Sequence, residues 1–328
     1  MLKEGFIPMA DSFLRLPQIA LLSGVKRHTL NARVKAMLGE TLHRNRGNQI
    51  LLDPLQTRQI IEDRITNSPG KIIYVGNLKG GVGKTTISYL ISGACSSLGL
   101  KTCVVDLDVQ SNLTRQYMPH IVDQPVFYDV IDNKKKIDDV IVQISDFLHI
   151  IPSSLKNSLI QKALSMQTPK HHLSWFNDLC LNYLRNNYDV IIVDTPPHLT
   201  TLNSVFCLCL ANNDHIAVPV CAEDFSIMGV QMFLDDIIDI RKSYGIKAHT
   251  NVSIIMNRFF QSQKNNLELL VRMGKMYEHM LSETIIRDNA RVREVINNKT
   301  AISDIKQGKE IFEVISSLLQ EFNILQKV

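Results

Sequence analysis

From residue 71 onward, apolar residues fall into two alternating patterns. Short unbroken apolar runs at 71–77, 101–107, 147–151, 188–194, 214–220 and 250–257 predict strands buried on both faces. Between them, at 85–98, 170–187, 200–211 and 225–243, apolar residues return every three or four positions, which predicts helices. The alternation predicts an α/β domain, a mostly parallel sheet covered by helices on both faces. Ligands bind such sheets at the carboxyl ends of the strands, so chemistry is expected just after each apolar run. The tail from Ile311 to Phe322 also has helical spacing, and its glutamates suit a packed helix better than a membrane-lying one.

The first 70 residues follow a different pattern. Leu16 to Ser23 predicts a short helix that ends at Gly24, and a second helix follows with Leu30, Val34, Met37 and Leu38 on one face. Away from that face lie Lys26, Arg27, His28, Asn31 and Lys35. These side-chain types match base edges in a major groove, Arg and Lys to guanine and Asn to adenine. Arg44–Asn45–Arg46–Gly47–Asn48 resembles the tip of a basic wing, and Leu55 to Ile65 predicts a further helix. The segment predicts a small winged helix-turn-helix domain, with a helical cap or a dimerisation arm as the alternative. The turn cluster Asn67–Ser68–Pro69–Gly70 puts the boundary between residues 1–68 and 69–328.

Charge changes this picture modestly. Net charge is +4. Residues 1–70 hold ten Lys+Arg against six Asp+Glu, so the excess lies in the N-terminal segment, where a nucleic-acid contact is expected. The apolar runs are too short for a spanning helix, and no signal-peptide pattern opens the chain. The six cysteines form no Cys-x-x-Cys pair and lie mostly in apolar runs, so buried reduced thiols are expected rather than a metal centre.

The strongest chemical signal follows the first strand. Lys79–Gly80–Gly81–Val82–Gly83–Lys84–Thr85–Thr86 sits between a strand and a helix start. Glycines let backbone N–H groups turn inward toward an anion, and the helix N-terminus adds positive potential. In a P-loop NTPase of this kind, Gly80 to Thr86 would cradle the phosphates of ATP, Lys84 would reach the β- and γ-phosphates, and Thr85 would ligate Mg²⁺. Lys79 is unusual, since an ordinary phosphate loop does not need it. It can point out of its own site toward a neighbouring subunit's phosphates. Two strands end in acids, Val104–Val105–Asp106–Leu107–Asp108 and Val190–Ile191–Ile192–Val193–Asp194. An aspartate at a buried strand end needs a cation or hydrogen bonds. Asp194 and Asp106 are therefore candidates for the magnesium, and Asp108, farther out, for orienting the attacking water.

These motifs resemble the ParA family of DNA-partition ATPases, in the deviant Walker-A group that includes MinD. The resemblance spans about residues 71–324 and rests on Lys79 to Thr86, on Asp106–Leu107–Asp108–Val109–Gln110–Ser111–Asn112–Leu113, on Asp194–Thr195–Pro196–Pro197, and on Val218 to Glu223 followed by Gly229. It implies a homodimer sandwiching two ATP, with Lys79 on the partner's nucleotide. It also implies Asn257 near adenine, nonspecific DNA contacts from Arg287, Arg291 and Arg293, and a ParB-like centromere-binding partner. The N-terminal unit is similar to that of plasmid-type members that bind their own operator. The implied protein is cytoplasmic and nucleoid-associated, without a membrane anchor. Val109 replaces the usual proline after the second aspartate, and His198 replaces the usual serine after Pro197. A nucleotide-sensing repressor and a MinD-like positioning ATPase are the rival readings.

Overall fold

The computed structural model describes residues 13–39, 49–119, 124–132, 134–165, 173, 176–223, 226–247, 249, 251–305 and 308–327. Strands β1 (Leu14–Arg15) and β2 (Leu51–Leu52) pair antiparallel and bracket helices α1 (Leu16–Ser23) and α2 (Arg27–Leu38). Helix α3 (Pro54–Ile60) follows, capped by Asp53, whose carboxylate accepts the Gln56 N–H at 2.7 Å. Gly24 ends α1 in the left-handed conformation, φ 72°, which glycine adopts without a Cβ penalty. Leu30 and Val34 of α2 are buried as their spacing predicts. Met37 is not; it is 43% exposed. The expected wing tip, 44–48, lies outside the described residues.

The main sheet has seven strands in the order β5–β6–β4–β7–β3–β8–β9. Here β3 is Lys71–Val75, β4 Thr102–Asp106, β5 Val142–Ser145, β6 Leu148–Ile151, β7 Val190–Asp194, β8 His215–Cys221 and β9 Val252–Asn257. All neighbouring pairs are parallel except β5–β6. The helices are α4 (Lys84–Ser97), α5 (Asn112–Tyr117), α6 (Phe127–Ile131), α7 (Ile160–Ser165), α8 (Asn182–Asn187), α9 (Thr201–Leu208), α10 (Ser226–Ser243), α11 (Lys264–Met276), α12 (Ala290–Asn297) and α13 (Lys309–Glu321). A π-helical turn, Asn177–Leu181, leads into α8, and α9 stops at Leu208 rather than reaching 211.

Successive residues of the central strands feed opposite cores. Ile73, Val75, Val104 and Ile192 pack with α4 and α13, while Ile72, Tyr74, Val105 and Ile191 pack with α9 and α10. The first of these cores continues without a break into the N-terminal segment, taking in Leu16, Ile19, Leu22, Leu30 and Ile60. Helix α1 lies against α13, and Gln18 Nε2 donates to the Ser303 and Ile305 carbonyls at 2.9 and 3.2 Å. Around the turn at 67–70, Thr66 N–H donates to Ile324 and Gly70 N–H to Tyr188. The expected boundary thus falls at a tethered turn, with side chains from both sides in one core.

At the base of the sheet His215 is buried, and Nε2 lies 2.8 Å from Ser253 Oγ. Burial pushes its pKa down to about 3. The unfolded chain protonates this imidazole near its ordinary value of about 6.5 and the native state does not. Stability from this group is therefore complete above that value and falls as pH drops through it toward the native pKa. Between pH 7 and pH 5 the loss should be about 2 kcal/mol. Urea unfolding of wild type and His215→Gln at both pH values checks this. The variant should lose about 2 kcal/mol less than wild type over the same interval, and equal losses would refute the assignment.

Candidate nucleotide site

The parallel register brings the predicted motifs together. Asp194, ending β7, lies beside Val75, which precedes the phosphate loop, and on its other side beside Asp106, which ends β4. The loop itself turns at Gly81 and Gly83, φ 74° and 97°, and α4 begins at Lys84. Gly83 has a second reason to lack a side chain: a Cβ there would sit 2.1 Å from Asn257 Nδ2. That amide donates to the Val82 carbonyl at 2.7 Å. Asn257, expected near adenine, is thus a buried brace on the loop in this structure.

The loop lysines point in different directions. Lys84 is buried and donates to the carbonyls of Asn77 and Lys79 at 3.1 and 3.0 Å. Burial lowers its pKa, and Asp194 and Asp108 oppose that shift. Lys79 faces outward, about one-third exposed, in an ion pair with Glu223 at the end of β8. Asn77, which belongs to no motif, fixes the loop's entry. Its Nδ2 donates to Pro219 at 2.8 Å and its Oδ1 accepts the Lys79 N–H at 2.9 Å.

At the mouth of the loop, Thr85 Oγ1 donates to Asp194 Oδ2 at 2.8 Å, and Ser88 Oγ to Oδ1 at 3.0 Å. Burial, with Asp106 beside it, raises the Asp194 pKa. A hydroxyl and a carboxylate oxygen side by side are hard donors that suit Mg²⁺. Among the described residues no cluster of three or more His, Cys, Asp or Glu could hold a metal unaided.

Asp106 is engaged differently. Its Oδ1 accepts the Asp108 N–H at 3.0 Å, and its Oδ2 accepts the Thr114 N–H and hydroxyl at 2.9 and 2.6 Å. Asp106 therefore staples the loop that carries Asp108, with Thr114 as its partner from α5. No motif marks Thr114; its one signal in the sequence is a hydroxyl eight positions after a strand-end aspartate. Asp108 Oδ1 accepts the Gln110 N–H at 2.9 Å, and Ser111 takes a left-handed φ of 57°. Val109 is half-buried and His198 is exposed.

The DNA candidates form separate groups. Lys26, Arg27, His28, Asn31 and Lys35 are all exposed along α2 and the turn before it. Arg287, Arg291 and Arg293 are exposed around the start of α12, where Arg293 is ion-paired with Asp288.

A strand, a phosphate loop with an inward and an outward lysine, and acids on the adjoining strand ends define a P-loop ATPase. Residues 70–254 match the AAA_31 family, described as an AAA domain. An uncharacterized protein of Methanocaldococcus jannaschii is 31% identical over 64% of this chain and 81% of its own. The virulence plasmid ParA family protein pGP5-D of Chlamydia trachomatis is 25% identical over 76% of this chain and 92% of its own. The Cyanothece McdA–ATP complex superimposes with a TM-score of 0.67 at 20% identity, covering 79% of this chain and 98% of that one. The chain belongs to the AAA_31 family and is a ParA-family ATPase. No helix among the described residues is long and apolar enough to cross a membrane.

Proposed function

We propose that the protein is a DNA-partition ATPase whose ATP-bound homodimer binds DNA nonspecifically and works with a ParB-like centromere-binding partner. The observation that carries this reading is the opposed pair of loop lysines. Lys84 is buried in its own loop, while Lys79 stands at the surface, where it can leave Glu223 for a second subunit's nucleotide. Mg²⁺ held through Thr85 and Asp194 would neutralise phosphate charge, and Asp108 would orient the attacking water. Hydrolysis is slow alone and faster with DNA and partner, which suits a timed switch. The N-terminal helices add operator binding. The rival in which the protein is chiefly a repressor predicts operator binding without ATP-dependent binding to random DNA. Titrating ATP- and ADP-loaded protein against random DNA and against DNA upstream of its own gene separates them. Equal random-DNA affinity in both nucleotide states would reject the partition reading.

The surfaces should also separate by mutation. Arg27→Ala and Asn31→Ala should each cost about 1–3 kcal/mol of discrimination, flattening sequence preference. Arg287→Ala with Arg291→Ala should weaken binding to every sequence and lower the salt slope by about 0.9 for each phosphate no longer neutralised. Binding titrations at several salt concentrations check this, and a sequence-selective effect from the Arg287/Arg291 pair would contradict it.

A further inference from the structure

A cavity of about 290 Å³ opens at the amino-terminal ends of β3 and β7, across the sheet from the phosphate loop. It lies in the seam between the N-terminal segment and the ATPase core, with Arg58 and Thr66 on one side and Lys71, Asp189 and Asn323 on the other. Lys71 is only 3% exposed. Among the described residues, its ammonium has one hydrogen-bond acceptor, the Asn323 carbonyl at 3.5 Å.

Two of the carboxylates nearby, Asp189 and Asp214, are committed elsewhere. Asp189 receives both Arg58 guanidinium nitrogens at 2.7 and 3.2 Å and the Lys101 N–H at 2.7 Å. Asp214 receives Arg185 at 2.5 and 3.1 Å, with the Ile72 and Ala211 N–H groups. Glu62 is an exposed residue of the lining. An ammonium with three donors and one long hydrogen bond to the protein has donors to spare for a ligand in this polar cavity, and an anion would supply both acceptors and opposite charge. Burial accordingly lowers the Lys71 pKa, with only partial opposition from Asp214.

We propose that this cavity binds a small oxyanion of phosphate size, with Lys71 as its charge partner and the hydroxyl-bearing Thr66 and Ser68 lining the same space. The ligand would touch both sides of the seam and so tie the N-terminal segment to the sheet.

The full chain, saturated with Mg²⁺ and ADP so that the phosphate loop is filled, is unfolded thermally against rising phosphate. Ionic strength is held with chloride, and acetate forms a third arm. Wild type should show a saturable rise in Tm with phosphate and none with chloride. Lys71→Met should lose that rise, and in chloride alone should melt no lower than wild type, because a buried unpaired charge has gone. Thr66→Val with Ser68→Ala, which keeps the lysine, should shift the phosphate midpoint upward about tenfold and covers the case in which Lys71→Met fails to fold. An unchanged phosphate response in the variants, or no saturable response in wild type, overturns the proposal. A saturable response to acetate in place of phosphate overturns the phosphate assignment.

Discussion

Replacing Lys84 with alanine should weaken Mg·ATP binding at least about 30-fold and leave the fold intact. Truncating one partner of a buried, hydrogen-bonded charge pair costs about 2–5 kcal/mol, and about 1.4 kcal/mol is a factor of ten. Lys84 starts α4 and is 7% exposed, so its ammonium meets a phosphate where water is largely excluded. Among the described residues its ammonium bonds to loop carbonyls and forms no salt bridge, so its loss leaves the fold's ion pairs in place. Calorimetric titration with ATP, alongside circular dichroism of the variant, measures both parts. Unchanged affinity in a folded variant would show that the phosphates bind elsewhere.

The second large effect separates binding from turnover. Lys79→Ala should keep ATP affinity within a few-fold of wild type but abolish the ATP dimer and lower hydrolysis about 100-fold or more. A charge delivered to a transferring phosphoryl group from a second subunit is worth roughly 10³–10⁵ in rate in comparable systems. Among the described residues the Lys79 ammonium pairs with Glu223 at the surface, a class of interaction worth about 0–1 kcal/mol. That weak hold makes release on dimerisation cheap and makes the alanine variant stable. Light scattering of Lys79→Ala in an Asp108→Ala background, which blocks hydrolysis, measures the dimer directly. A normal ATP dimer in that variant would end the idea that Lys79 acts across the interface.

Much of this architecture is legible in the chain because central parallel strands are buried on both faces and write themselves as unbroken apolar runs. Val190 to Asp194 and Thr102 to Asp106 end in charged residues for which no core position has a use. The edge strand β5 escapes that pattern. Val142–Gln143–Ile144–Ser145 is too short and too polar for it, although its alternation fits a strand with one solvated face. Side-chain-to-backbone bonds are the other blind spot. The Asn257 amide on the Val82 carbonyl, the Asn77 amide on the Pro219 carbonyl and the Thr114 N–H on the Asp106 carboxylate join distant segments, and no local periodicity reports them. The tethered turn at 67–70 is hidden for the same reason, since its partners Tyr188 and Ile324 lie far along the chain.

The seating of α1 on α13 also sets an order of events during synthesis. Gln18 and its acceptor Ser303 are 285 positions apart. A ribosome adding about 5–20 residues per second needs roughly 15–60 s to span that distance. Throughout that interval the apolar side of α1, with Leu16, Ile19 and Leu22, has emerged but its docking surface has not. The N-terminal helices are therefore born first and seated last, and a nascent chain stalled before residue 300 should present them to chaperones as an unshielded hydrophobic face.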